Sequence, residues 1–148
     1  MEWKCQSWEQ LSTTDLYEIL ALRQAIFVVE QDCPYQDADG LDQQAFHLSL
    51  CIQQQLAGYI RIFPPGQLKA ETVIGRVVVA ANQRGQGLGY EIMKLGASWI
   101  EQSYGTTAIW IGAQSYLREF YGNLGYQQCG PEYDEDGIPH IPMLKPVQ

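Results

Sequence analysis

The segment Arg84-Gly85-Gln86-Gly87-Leu88-Gly89 sets three glycines at alternate positions between a valine-rich run, Ile74-Gly75-Arg76-Val77-Val78-Val79, and a stretch of helical periodicity. A strand that empties into a glycine loop and then a helix frames an anion. The glycines keep Cβ atoms out of the way of a ligand. The first N–H groups of the helix have no intrahelical acceptor and point at the ligand, with the positive end of the helix dipole behind them. Arg84 adds a full charge beside these partial ones. The expectation is a phosphorylated cofactor; a glycine-rich helix start with no ligand is the competing reading.

Spacing separates the phosphate loops that could stand here. A Walker loop needs Lys-Ser or Lys-Thr after its last glycine, where this chain has Tyr90-Glu91. A dinucleotide fingerprint needs its third glycine at position 90, which is tyrosine, and an acid some twenty residues on, where Thr106 and Thr107 stand. The remaining pattern is Arg or Gln, two residues, Gly, one residue, Gly, met by Arg84, Gly87 and Gly89. It resembles the pyrophosphate loop of the GNAT superfamily of acetyl-CoA-dependent N-acyltransferases.

At 148 residues the chain is expected to form a single domain, residues 1–148, with a full core. Nine basic against seventeen acidic side chains give a net charge of −8, which repels nucleic acid and suits an amine-bearing substrate, or simply keeps the protein in solution. Cys5, Cys33, Cys51 and Cys129 show no paired spacing and read as reduced thiols. Two distant histidines make no metal site. The beginning of the chain shows no signal-peptide pattern and no apolar run is long enough for a membrane span, so the expected location is cytoplasmic.

Along the chain, Trp3 to Ser7 alternates as a strand, and Ser12-Thr13-Thr14-Asp15 opens a helix carrying Leu16, Ile19, Leu20, Arg23, Ile26 and Phe27. Glu30 to Gln44 reads as a long irregular connection of the kind that carries function. Phe46 to Ile52 and Leu56 to Phe63 form a hairpin, and Thr72 to Ala80 reads as a central strand buried on both faces. Leu88, Ile92, Leu95 and Trp99 make one helical stripe, with Gly96 inside it pointing to close packing. A strand at Ala108 to Ala113, a helix at Ser115 to Leu124, and a closing pair of strands, Tyr126 to Tyr133 and His140 to Leu144, complete the pattern. Asp134-Glu135-Asp136-Gly137 supplies the last turn. The fold class is α/β, with three layers.

The segment Glu119-Phe120-Tyr121-Gly122-Asn123-Leu124-Gly125-Tyr126 matches a second GNAT pattern. Ala21 to Gln31, Pro34-Tyr35, Asp39-Gly40, His47 and Asp136 to His140 resemble the ElaA-like branch of that superfamily. The resemblance implies an α/β/α domain whose mixed, mostly antiparallel sheet is splayed at the cofactor site. It implies acetyl transfer from acetyl-CoA to a primary amine by direct attack in a ternary complex. In that scheme Val77, Val78 and Val79 meet the pantetheine arm, with an N–H of Val78 or Val79 on the thioester carbonyl. Arg84, Gly85, Gln86, Gly87, Leu88 and Gly89 hold the pyrophosphate, and Tyr121 lies against the thioester as general acid.

Many GNAT enzymes place a glutamate on the strand before the loop, whereas this strand offers Arg76 and no acid, so the base stays unassigned. His140 is the candidate, with His47, Glu30, Glu135 and Asp136 as others. Arg61 and Arg76, on apolar strands, are expected to pair with Glu30, Asp39 or Asp42, or else to face the acceptor. The acceptor is a small-molecule or peptide amine, nucleic acid and membrane are not partners, and a homodimer is compatible with the reading. The alternative function is a catalytically silent acyl-CoA sensor or partner module.

Overall fold

A computed structural model describes residues 1–147. Strands β1 (Glu2–Ser7), β2 (Phe46–Ile52), β3 (Gln55–Phe63), β4 (Thr72–Val79), β5 (Ile109–Gln114), β6 (Gln127–Gln128), β7 (Tyr133–Glu135) and β8 (Ile138–Lys145) form one sheet. Its order is β1-β2-β3-β4-β5-β8-β6, with β7 also on β8. Only β4 and β5 run parallel, so the sheet is mixed and mostly antiparallel, as expected.

Alternation along the strands sends two sets of side chains to opposite faces. On one face Leu48, Leu50, Ile60, Ile62, Ile74, Ile109, Ile111, Ile141 and Met143 pack under α2 (Leu88–Tyr104) and α3 (Arg118–Gly122). The other face presents Tyr59 and Val78 to Ile19 and Ile26, from α1 (Thr13–Arg23) and the turn after it. The fold is the expected α/β/α sandwich.

Ser12 caps α1 by accepting from the Asp15 N–H at 3.0 Å, as the capping box predicted. The helix does not keep α geometry to Phe27. From Gln24 to Glu30 it widens into a π turn, closed by the Gln31 N–H on Ile26 C=O and the Cys33 N–H on Val28 C=O, both at 3.0 Å. Such widened turns gather at functional sites.

Four other expectations change. The helix expected over Ser115 to Leu124 begins with a 3₁₀ turn (Ser115–Leu117), and α3 itself covers Arg118–Gly122. The closing strand expected from Tyr126 to Tyr133 is two short pieces, β6 and β7, because Pro131 cannot donate to a ladder and the chain leaves the edge between them. The last turn needs only Asp136 and Gly137, both in the left-handed conformation (φ 54° and 83°), which joins β7 to β8. Finally, β4 is buried on both faces only at its start: Thr72, Val73 and Ile74 are covered, but Gly75, Arg76, Val77 and Val79 are partly open.

Candidate active site at the fork between two central strands

Parallel pairing of β4 with β5 covers Thr72–Ile109, Val73–Trp110 and Ile74–Ile111, and then stops, although both strands continue. The cause lies in β4. Arg76 takes a left-handed conformation (φ 51°), and the register against β3 shifts between Tyr59 and Arg61. This is a β-bulge, which adds a residue and bends its strand. The two strands part and leave a fork.

The bulge also decides which backbone groups face the fork. The Ala80 N–H donates to Ala57 C=O at 2.8 Å, and Tyr59 lies opposite Val78. Alternation in an antiparallel ladder then turns the N–H and C=O of Val78 to β3, and those of Val77 and Val79 into the fork. The Val78 side chain is buried on the α1 face against Tyr59. Of the three valines, Val77 and Val79 therefore offer a backbone edge to an extended ligand, and Val78 belongs to the ladder.

Beyond β4 the chain makes a short turn (Ala81–Gln83) and enters the glycine loop. Gly85 and Gly87 have φ 81° and 76°, with Gly87 as the N-cap of α2 and no side chain capping it. The first bond of the helix runs from the Glu91 N–H to Gly87 C=O. The amides of Leu88, Gly89 and Tyr90 are left without intrahelical acceptors. Gly89 is small for a different reason: a Cβ there would stand 3.1 Å from the Phe120 ring. Phe120 also packs on Tyr90, with ring centroids 4.6 Å apart, and Asn123 Nδ2 donates to the Tyr90 hydroxyl at 3.3 Å. These contacts bring α3, and with it Tyr121, against the start of α2. The two sequence motifs meet in space.

Arg84 is not free. Its guanidinium makes a two-pronged ion pair with Glu30, at 2.7 and 2.5 Å, from the end of the π turn. The Glu30 hydrogen bond raises Arg84 above its ordinary pKa and lowers Glu30 below its own.

Tyr121 is buried between Phe120 and Tyr126, edge-on to both rings. Burial, with the neighbouring Tyr116, pushes its hydroxyl well above an ordinary phenol, so it keeps its proton throughout the physiological range. Tyr116 acts electrostatically on Arg84 as well.

His140 lies on β8 opposite Gln114, at the far end of β5. Its Nδ1 is 2.8 Å from Ile138 C=O and its Nε2 is 3.1 Å from a Glu135 carboxylate oxygen, with Tyr133 stacked on the ring. Both ring nitrogens are engaged within the last hairpin, so neither is presented to the fork in this arrangement. His47 is remote from the fork and satisfied: Nδ1 meets the Tyr59 hydroxyl at 2.6 Å and Nε2 meets Asp42 C=O at 2.9 Å. Burial lowers its pKa, despite the pull of Asp42.

The connection after the π turn carries an ion network that the sequence showed only in part. Arg23, fully buried, donates to Asp37 and Asp42 at 2.8 Å each. Arg61 bonds both Asp39 oxygens and Asp42, all at 2.9 Å. Arg76 donates through Nε to Asp37 at 2.8 Å and through Nη2 to Asp39 at 3.2 Å. Asp39 and Asp42 were expected partners; Asp37 was not, and Glu30 pairs elsewhere. Burial alone would raise the Asp39 carboxyl, but the hydrogen bond and charge of Arg61, the Leu41 amide and the charge of Arg76 outweigh it and hold it at about 2. The same connection reaches the last hairpin through Gln31–Gln114 at 3.3 Å and the Cys33 thiol on Asp136 C=O at 3.2 Å. It therefore roofs the fork from the π turn to β8.

Among the described residues, no group of three or more His, Cys, Asp or Glu is gathered to hold a metal ion. No helix among them is long and apolar enough to cross a membrane.

Residues 18–147 match the family described as "Acetyltransferase (GNAT) domain". A UPF0039 protein of Synechocystis is 40% identical over 97% of this chain and 94% of its own length. Protein ElaA of Escherichia coli is 37% identical over 99% of this chain and 97% of its own. Among solved structures, an acyl-CoA N-acyltransferase from Pseudomonas aeruginosa superposes with a TM-score of 0.92 at 37% identity, covering 98% of this chain and 99% of that one. The crystal structure of Escherichia coli ElaA gives 0.91 at 36% identity, covering 97% and 98%.

Proposed function

The chain belongs to the GNAT acetyltransferase family, in its ElaA-like branch, and from that premise we propose that it transfers an acetyl group from acetyl-CoA to a primary amine in a ternary complex. The single observation that carries this reading is the joining of the fork to the phosphate loop. Unpaired strand edges at Val77 and Val79 run directly into the open amides that follow Arg84. An extended pantetheine arm would add to that edge as a strand does, and the pyrophosphate would meet the N–H groups of Gly85 to Gly89 with Arg84 beside them.

The chemistry follows from these groups. The Val79 N–H polarises the thioester carbonyl and takes up the negative charge as the amine nitrogen forms its bond to carbon. Collapse breaks the carbon–sulfur bond, and Tyr121 O–H gives its proton to the leaving thiolate. The acetylated nitrogen loses its extra proton, which returns through solvent to the Tyr121 phenolate, so that the reaction balances to an amide, free CoA and the restored tyrosine. His140 can be the receiver only once its contact with Glu135 opens; an amine arriving already neutral needs no protein base. A second reading, a silent acyl-CoA sensor, draws support from the engaged ring of His140 and from Arg76 standing on β4 where an acid is common.

Isotope-labelled acetyl-CoA incubated with a pooled extract of metabolites and peptides tests the transferase reading. A labelled amide should form with the wild-type protein, and Tyr121→Phe should slow its formation about 10- to 100-fold while CoA affinity stays nearly constant. Transfer at the wild-type rate by Tyr121→Phe would remove the tyrosine from the mechanism. Binding of CoA without any labelled product would favour the sensor.

A further inference from the structure

The fork opens at a pair of glycines. The next residues after the last paired positions, Ile74 and Ile111, are Gly75 on β4 and Gly112 on β5. Gly75 pairs with Arg61 across the β3 ladder, so a side chain there would point to the α1 face, and it would meet nothing within 4 Å. A side chain at Gly112 would meet the Tyr133 hydroxyl at 2.5 Å. The result is a notch floored by bare backbone, with Tyr133 of the last hairpin on one side and Arg76, its guanidinium 5.6 Å from the Tyr35 ring, on the other.

Arg76 is built into the wall of this notch. A non-glycine residue in the left-handed conformation is strained and persists where its surroundings hold it. Here Asp37 and Asp39 grip Nε and Nη2 from beneath. Nη1 makes no hydrogen bond among the described residues, and the side chain keeps 21% of its surface open. Arg23, Arg61 and Arg76 are matched by Asp37, Asp39 and Asp42, so the network is neutral as a whole. Recognition at Nη1 is then a matter of aimed N–H groups at short range rather than of a strong positive field. The hairpin that carries Tyr133 also carries Glu135, well exposed, a carboxylate that suits an ammonium group.

We propose that this notch takes the acceptor and that Arg76 Nη1 binds a carboxylate on it, so that the acceptor is an amine that also carries a carboxylate, as an amino acid does. The inference rests on the transferase reading above. Arg76 here is a specificity residue and takes no part in bond making. The neighbouring Val77 and Val79 backbone keeps the thioester beside the same notch.

The test starts from the product labelled by isotopic acetyl-CoA in a small-molecule amine extract, and then compares that acceptor with its carboxamide. With the wild-type protein the labelled product should carry a carboxylate, and amidation should raise KM about 30-fold with kcat little changed. Arg76→Gln should cut that discrimination to about 3-fold or less, and Arg76→Lys should not restore it, because an ammonium lacks the planar fork. Should Arg76→Gln fail to fold, Gly75→Val fills the notch while keeping every charged side chain of the ion network. It should raise the acceptor KM at least about 10-fold while CoA affinity holds. A labelled product with no carboxylate, or equal KM for acid and amide, overturns the inference and leaves the transferase standing. No labelled product from a protein that binds CoA overturns the transferase reading, and the inference falls with it.

Discussion

Under the proposed function Arg84 serves two partners in turn. In the structure it is paired with Glu30, and the loop it begins ends in a helix start with no side-chain cap, where an anion is proposed to sit. Both side chains are roughly half exposed, so solvent screens the pair and its net worth is small. On the proposed function it would compete with a pyrophosphate for the same guanidinium. Glu30→Gln should therefore tighten CoA binding about 2- to 5-fold at low salt, and the gain should shrink as salt rises. Calorimetric titration of both proteins checks this; weaker binding by Glu30→Gln would show that the carboxylate positions Arg84 rather than competes for it. The loop itself was legible from sequence because its spacing, two positive-φ glycines and a helix start, is local. Glu30 was not legible as its partner, since 54 positions separate the two. Asp37 was missed for the same reason: nothing near it in the chain announces Arg23 or Arg76.

At the scale of elements, α2 rests on β3 through Gly96. A Cβ at that position would come within 2.5 Å of Ile60 Cδ1, and Ile60 is fully buried, so its methyl has little room to swing away. Gly96→Ala gains about 1 kcal/mol of helix propensity and loses about 1–3 kcal/mol to overpacking. The expected outcome is a net loss of up to about 2 kcal/mol in urea unfolding with CoA affinity unchanged; a more stable variant would contradict the packing argument. The helical stripe, the hairpin and the order of elements were readable because each rests on a period of two or 3.6. The bulge at Arg76 was not, because no residue there prefers a positive φ and the cause is tertiary. That one residue converts a strand expected to be buried on both faces into one that is open on its second half. The π turn and the split of the closing strand escaped for related reasons: apolar periodicity marks which face is buried and says little about hydrogen-bond pattern or a break in an edge strand.

Across the whole molecule, the ion network ties α1, the long connection, β3 and β4 together, and its energetics run through pH. Burial, aided by the charges of Arg23 and Arg61, holds the His47 imidazole below its ordinary value, so the unfolded chain takes up that proton more readily than the folded one. The stability His47 contributes is whole above about pH 6.5 and is lost as pH falls below it. Asp39, held at about 2 against an ordinary 3.8, contributes in full above 3.8 and loses its share as pH falls toward 2. Urea midpoints should accordingly fall in two stages, one between about pH 7 and 5 and one below about pH 4, with the first absent in His47→Gln. A midpoint flat from pH 7 to 5 would contradict the assignment. Removing one member of the buried set, as in Arg23→Met, leaves carboxylates without their partner and belongs to the class of changes that cost about 3–5 kcal/mol.

The account stands on the fork and the glycine loop acting as one site for a pantetheine–pyrophosphate chain. Calorimetric titration with CoA, and with NAD as the competing phosphorylated cofactor, measures this most directly. The account predicts saturable one-to-one binding of CoA, weakened about 10-fold or more by Arg84→Gln, and no measurable heat with NAD. Absence of CoA binding, or equal binding of NAD, would contradict it.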